Sequence, residues 1–123
     1  MKKEKTKIHP IPIYDMRLEF CVTPDMIMSQ KNKERSKRLG GGPISDYEGL
    51  CWFSERREIA VLITDKHLTH ELIAHETLHA TCQILRYVGV SYDPENQEAF
   101  SYLCGYITNL IYKDLKRWGL KVK

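Results

Sequence analysis

Apolar and polar residues alternate in the first half of the chain, and the period becomes that of a helix after residue 64. From Tyr14 to Thr23 every second residue is apolar, which predicts a strand with one buried face. Two further apolar segments, residues 47–53 and 57–64, are separated by only three residues. Because the second segment is rich in β-branched residues, the two predict a β-hairpin. We therefore expect a small, mostly antiparallel sheet.

Two long helices are predicted to follow the sheet. Thr69 is a suitable N-cap for the first, and Gly89 can end it in the left-handed conformation. Apolar residues lie on most sides of this segment, which predicts a central, buried helix. The second begins with Asp93 as N-cap and Pro94 at the first helical position. Its apolar stripe predicts a core-facing side, formed by Phe100, Leu103, Ile107, Leu110 and Ile111.

Length and composition fit one α+β domain of this kind. The chain has 123 residues, of which 42% are hydrophobic and 28% charged, and two conventional domains need a longer chain. No apolar run approaches the ~18 residues of a membrane span, and no hydrophobic signal region follows the Lys-rich start. The four cysteines are far apart, which excludes a zinc ribbon and predicts reduced thiols. We expect a cytoplasmic protein with no membrane partner.

Positive charge is concentrated in the first third of the chain. Residues 1–40 contain ten Lys and Arg against five Asp and Glu, whereas residues 41–123 contain nine against eleven. The densest run, Lys31 to Arg38, has the charge to bind nucleic acid. It lacks interleaved aromatic residues that stack on bases, so we favour a solvated basic loop over residues 24–43. Residues 1–12 are interpreted as a flexible basic arm.

The first long helix contains His75-Glu76-Thr77-Leu78-His79, an H-E-x-x-H motif. Residues four apart lie about 40° apart around a helix and about 6 Å apart along it, so both imidazoles can bind one Zn²⁺. Glu76 lies about 100° around the helix from His75. From there its carboxylate can act as general base towards a water molecule at the metal. The alternative is that both histidines are ordinary helix residues held by hydrogen bonds.

Two histidines leave a catalytic zinc site one protein ligand short. No histidine follows His79, and neither His67 nor His70 converges well with the motif. Helix lengths favour Glu98, because the rise per residue leaves about 6 Å to be closed by its side chain and a tilted crossing. The alternative is that this glutamate is simply exposed. The remaining carboxylates in this region are Asp93 and Glu95.

These residues resemble the gluzincin zinc metallopeptidases, the thermolysin-like branch of the zincins. The first gluzincin motif matches the H-E-x-x-H sequence, and the second, a Glu-Ala-x-Ser-Asp-x-x-Gly helix, is similar to residues 98–105. The resemblance implies that Glu98 is the third zinc ligand. It departs from the family at Tyr102, where an aspartate commonly contacts a zinc histidine. It covers residues 57–105, and the general form also resembles minigluzincins and small phage or prophage H-E-x-x-H proteins.

The resemblance also implies roles for residues outside the two motifs. In zincins an edge strand ahead of the metal helix pairs with an extended peptide substrate. The residues in that position are Arg57, Glu58, Ile59, Ala60 and Val61. Candidates for the donor that stabilises the oxyanion are Tyr102, Tyr106 and Arg86. The alternatives are a plain buried strand and tyrosines that serve in packing.

The sequence therefore favours a zinc-dependent metallopeptidase that hydrolyses peptide bonds in a peptide or protein substrate. In this hypothesis zinc activates a water molecule, and Glu76 takes its proton and passes it to the leaving amine. One alternative is a DNA-associated protease similar to the SprT family, although that family normally supplies a third histidine. Another is a non-catalytic, zinc-stabilised protein-binding module, which needs ligands but no general base.

Overall fold

The computed structural model describes residues 1, 3–25, 30–38, 48–54 and 56–123, with the backbone alone for residues 30–32. The strands are β1 (Lys5–Ile11), β2 (Met16–Thr23), β3 (Gly49–Ser54) and β4 (Glu58–Thr64). The helices are α1 (Gln30–Arg38), α2 (His70–Tyr87) and α3 (Gln97–Trp118), with short 3₁₀ turns at Asp65–His67 and Pro94–Asn96. The predicted α+β class, a sheet followed by two long helices, is confirmed.

The four strands form one sheet in the order β1-β2-β4-β3. β1 is antiparallel to β2, and β3 is antiparallel to β4, so the predicted hairpin and the mostly antiparallel sheet are confirmed. The two inner strands, β2 and β4, run parallel, with Phe20 opposite Val61. Tyr47, the predicted start of the strand that corresponds to β3, lies outside the described residues. β4 is thus hydrogen-bonded along both of its edges.

The first residues of the chain differ from the prediction of a flexible arm over residues 1–12. Lys5–Ile11 pairs with β2 along its whole length. Most side chains of β1 are exposed, so the strand lacks the apolar alternation that would reveal it. Its position is fixed by backbone pairing, by buried Ile11 and by a 2.6 Å contact between His9 Nε2 and Asp114 Oδ2 of α3.

The prediction of a basic loop over residues 24–43 is wrong for residues 30–38, which form α1. Its remaining parts at 26–29 and 39–43 lie outside the described residues. The helix docks through Arg35, whose guanidinium is buried and binds the carboxylates of Glu19 and Glu4. None of the nine residues of α1 is apolar, so the apolar stripe that predicts a helix is absent from this segment.

β2 is buried on both faces, where the sequence predicts one buried face. Leu18, Phe20 and Val22 belong to the main core, and Glu19 and Cys21 on the opposite face are also buried. The opposite face is the one that Arg35 of α1 contacts through Glu19. A second, smaller apolar cluster lies on this face and is formed by Cys21, Ala60 and Leu62, with Leu50 and Trp52 at its margin.

The main core lies between the sheet and the two long helices. The side chain of Thr69 caps α2 by accepting a hydrogen bond from Leu72 N at 3.1 Å, and Gly89 follows the helix at φ +85°. The Asp93 side chain caps the turn that leads into α3. The buried residues of α2 lie on one face, and apolar Leu78 is half exposed. The prediction of a helix buried on most sides is therefore wrong.

The sequence predicts reduced thiols and no membrane span. The four cysteines all lie among the described residues, and none forms a disulfide. No helix in the described part of the chain is long and apolar enough to cross a bilayer.

Candidate metal centre

His75 and His79 lie side by side on the outer face of α2, away from the sheet. Their Nε2 atoms are 3.2 Å apart, and their rings meet at 73° with centroids 4.8 Å apart. Two nitrogens bound to one tetrahedral zinc at about 2.05 Å lie about 3.3 Å apart. The His75 side chain is 62% exposed. The pair thus has the nitrogen spacing of a zinc site, and it is open to solvent.

Glu76 lies beside the histidine pair, on the inner side of α2, where its side chain is buried close to β3. Its Oε1 is 3.9 Å from His75 Nε2, and its side chain is only 6% exposed. Burial raises the pKa of the Glu76 carboxyl above its usual value, and the neighbouring His75 and His79 oppose this rise. A carboxylate with a raised pKa binds a proton more strongly than one in water, as a general base requires.

Cys51 of β3 is the residue near Glu76 that the sequence reasoning missed. Burial raises the pKa of the Cys51 thiol to about 12, and the Glu76 carboxylate adds to the increase. β3 lies close to α2 here. If Gly49 carried a Cβ atom, that atom would be only 3.1 Å from Leu72 Cδ2 of α2. The residue pattern of β3 predicts a strand, but it does not show that this strand packs beside α2. No sequence signal therefore connects the Cys51 thiol to the H-E-x-x-H motif.

Glu98 does not join the histidine pair. Contact between His70 Nδ1 and Tyr112 OH, at 2.6 Å, sets the register between α2 and α3. Glu98 lies fourteen residues before Tyr112 and is therefore level with Ile84 on the antiparallel helix. That level is five residues beyond His79, or about 7.5 Å along the axis.

The exposure of the acidic residues agrees with this register. Glu98 and Glu95 are both exposed, as is Asp93. In the part of the chain that the structure describes, no three His, Cys, Asp or Glu side chains are grouped so as to bind a metal. The assignment of Glu98 as third ligand stays a prediction.

The candidate oxyanion donors also lie apart from the histidines. Tyr102 and Tyr106 line a cavity with residues of the β1–β2 turn, and no residue of α2 lines this cavity. Arg86 is exposed near the end of α2. It follows His79 by seven residues, which is about 10 Å along the helix. The structure brings none of these three residues to the site.

The predicted substrate strand is not an edge strand, and this prediction is wrong. Residues 58–61 lie in β4, which pairs with β2 on one side and with β3 on the other. Among the described residues, β4 therefore has no unpaired backbone edge for a peptide substrate. Arg57 lies in the preceding turn at φ +64°. The sequence shows where a strand lies but not its place in the sheet, and the strand beside α2 at this edge is β3.

Comparison of the chain with protein-family models, with curated proteins and with solved structures finds no match. The likeness to gluzincins therefore depends on the motif residues alone. Of those residues, the H-E-x-x-H sequence has a geometry that suits the family's chemistry, and Glu98 does not approach it.

Proposed function

We propose that this chain is a cytoplasmic zinc-dependent metallopeptidase whose centre is the H-E-x-x-H turn of α2. The observation that carries the proposal is the 3.2 Å separation of two exposed Nε2 atoms, next to a buried carboxylate. A hydrogen bond between the two rings holds the nitrogens at this distance, and a shared metal ion holds them at the same distance. The buried carboxylate beside the pair favours the metal, because a hydrogen-bonded pair of histidines needs no general base.

The residues divide the chemistry between them. His75 and His79 hold the metal through Nε2. Zinc bound there would supply a Lewis acid that lowers the pKa of a water molecule and polarises a peptide carbonyl. Glu76, at the inner side of the pair, accepts the proton of the attacking water and delivers it to the amine nitrogen as the C–N bond breaks. Burial of Glu76 supports this role, because it raises the pKa of the carboxyl and so strengthens its hold on a proton.

A non-catalytic zinc-stabilised binding module is the second candidate. It needs four protein ligands to close its metal site, and among the described residues no third ligand joins the two histidines, so this observation counts against it as well as against the enzyme. A DNA-associated protease is less favoured, because two basic residues of α1 are paired with carboxylates: Arg35 with Glu19 and Glu4, and Arg38 with Glu19 and Glu58.

Glu76→Gln separates the two candidates, and Glu71→Gln is its matched control on the exposed face of the same helix. Zinc content is measured by native mass spectrometry, and turnover is measured with fluorescein-labelled casein. We expect about one zinc per chain in all three proteins. Glu76→Gln should lose at least ~10²-fold in turnover, whereas Glu71→Gln should match the wild type.

Two outcomes would contradict the proposal in different ways. Zinc binding that depends on His75, without hydrolysis by the wild type, would assign the chain to the binding-module class. A wild-type protein that takes up no zinc from a micromolar solution, with His75→Ala equally stable, would exclude both candidates.

A further inference from the structure

The turn between β1 and β2 holds an isoleucine in a conformation that isoleucine rarely adopts. Ile13 has φ +74°, a region suited to glycine or asparagine and unfavourable for a β-branched side chain. Asp15 in the same turn has φ +52°, but aspartate tolerates this region. The Ile13 side chain is 96% exposed. Neither backbone geometry nor core packing therefore explains an isoleucine here.

An apolar cavity lies directly beside this side chain. Its volume is about 260 Å³, and Ile13 is one of the residues that line it. A cavity of about 150 Å³ is enough to bind a benzene molecule, so this one can accept an isoleucine side chain. Its other lining residues are Ile11, Pro12, Tyr14, Tyr102, Leu103 and Tyr106. One surface thus carries both a protruding apolar side chain and a hollow that can receive one.

The charges around this surface are also self-complementary. Asp15 is almost fully exposed, and its Oδ2 lies 3.8 Å from Arg57 Nη1 of the neighbouring turn. Arg57 is held in place by a 3.3 Å hydrogen bond to Tyr14 O and by the ring of Tyr87, 5.2 Å away. A patch with one acid and one base side by side can meet a rotated copy of itself with opposite charges facing.

We propose that this end of the molecule is the interface of a symmetric dimer of this chain. Ile13 of each copy enters the hollow beneath Tyr102 and Tyr106 of the other, and Asp15 of each copy faces Arg57 of the other. A twofold axis requires both complementary features on one patch, and this patch has both. The interaction does not depend on the proposed zinc chemistry, because the two tyrosines lie away from the histidine pair.

The exposed apolar residues of this patch are few, so the dimer is expected to be weak. A standard interface buries about 800 Å² from each partner, and only Ile13, Tyr102 and Tyr106 provide large exposed apolar area here. We expect a dissociation constant on the order of 10 µM, typical of a transient complex. The dimer then forms and dissociates with protein concentration.

The test is sedimentation velocity of the whole chain from about 5 to 500 µM, combined with thermal unfolding of each variant. Wild type should pass from monomer to dimer in this range. Ile13→Gly should weaken self-association at least ~10-fold while its melting temperature stays equal or rises, because glycine accepts φ +74°. Tyr106→Asp, which places a carboxylate in the hollow, should also give monomers. Ile8→Ser is the control, because Ile8 is exposed on β1.

A side chain with a purely structural role predicts a different result. In that case Ile13→Gly would change the melting temperature and leave association unchanged. A wild type that stays monomeric at 500 µM would overturn the proposal. A dimer that survives either Ile13→Gly or Tyr106→Asp would also overturn it, because the contact would then lie elsewhere.

Discussion

Removing Arg35 should destabilise the fold more than any other change on α1. Arg35 is 5% exposed, and its guanidinium binds Glu19 and Glu4, which are also largely buried. Arg35→Ala leaves both carboxylates without this partner on the sheet face under α1. Breaking a buried ion pair in this way costs about 3–5 kcal/mol. With an m-value of about 2 kcal/mol/M, the urea midpoint should fall by about 1.5–2.5 M.

Tryptophan fluorescence in urea provides the assay, because the two tryptophans lie on opposite faces of the sheet. Trp52 packs at the margin of the smaller cluster, and Trp118 stacks on Phe20 at 5.7 Å. Lys37→Ala is the control on the same helix, where an exposed side chain should contribute less than about 0.5 kcal/mol. Arg35→Lys should give an intermediate loss, because lysine keeps the charge but not the fork of donors. An Arg35→Ala midpoint equal to that of Lys37→Ala would refute the reasoning.

Two further predictions concern the metal centre and its surroundings. Glu98→Ala should lower zinc affinity by less than about threefold in a competition titration, because the helix register places this carboxylate beyond reach of His79; a loss of about tenfold or more would show that α3 shifts along α2 when metal binds. Because burial raises the pKa of Cys51 to about 12, its thiol stays protonated at pH 8, and alkylation by iodoacetamide followed by mass spectrometry should be at least ~10²-fold slower than in the unfolded chain. Raising the pH from 7 to 9 should accelerate alkylation about 100-fold in the folded chain but only about 25-fold in the unfolded chain, because an unfolded thiol with a pKa of about 8.5 is already largely ionised at pH 9.

The elements that could be predicted are those specified by local residues. Thr69, Gly89 and Asp93 act as the capping and terminating residues that their types indicate, and the hairpin of β3 and β4 follows from two apolar runs with a short connection. β1 and α1 could not be predicted from apolar periodicity, because backbone pairing holds the first and an ion pair holds the second.

The remaining differences between the sequence analysis and the structure concern relations between distant parts of the chain. Nothing in residues 57–64 tells whether the strand lies inside the sheet or at its edge, since that depends on β2, which is separated from it by more than thirty residues. The distance from Glu98 to the histidine pair likewise depends on how two separate helices pack. Helix lengths alone leave a gap that a tilted crossing can close, whereas the contact of His70 with Tyr112 sets a register that leaves it open.

The exposed lysines of β1 have a consequence for assembly of the sheet. Among the described residues β1 is an outer strand, and an outer strand can template the addition of another chain. Lys5 and Lys7 place charges along this border, and Pro10 has no N–H group to donate. If β1 of a second copy paired with this edge, the lysines of the two strands would lie close together. One carbonyl of the added strand would also lack a hydrogen-bond donor at Pro10. The polar residues that keep β1 from showing an apolar alternation thus also oppose edge-to-edge association of the sheet into fibres.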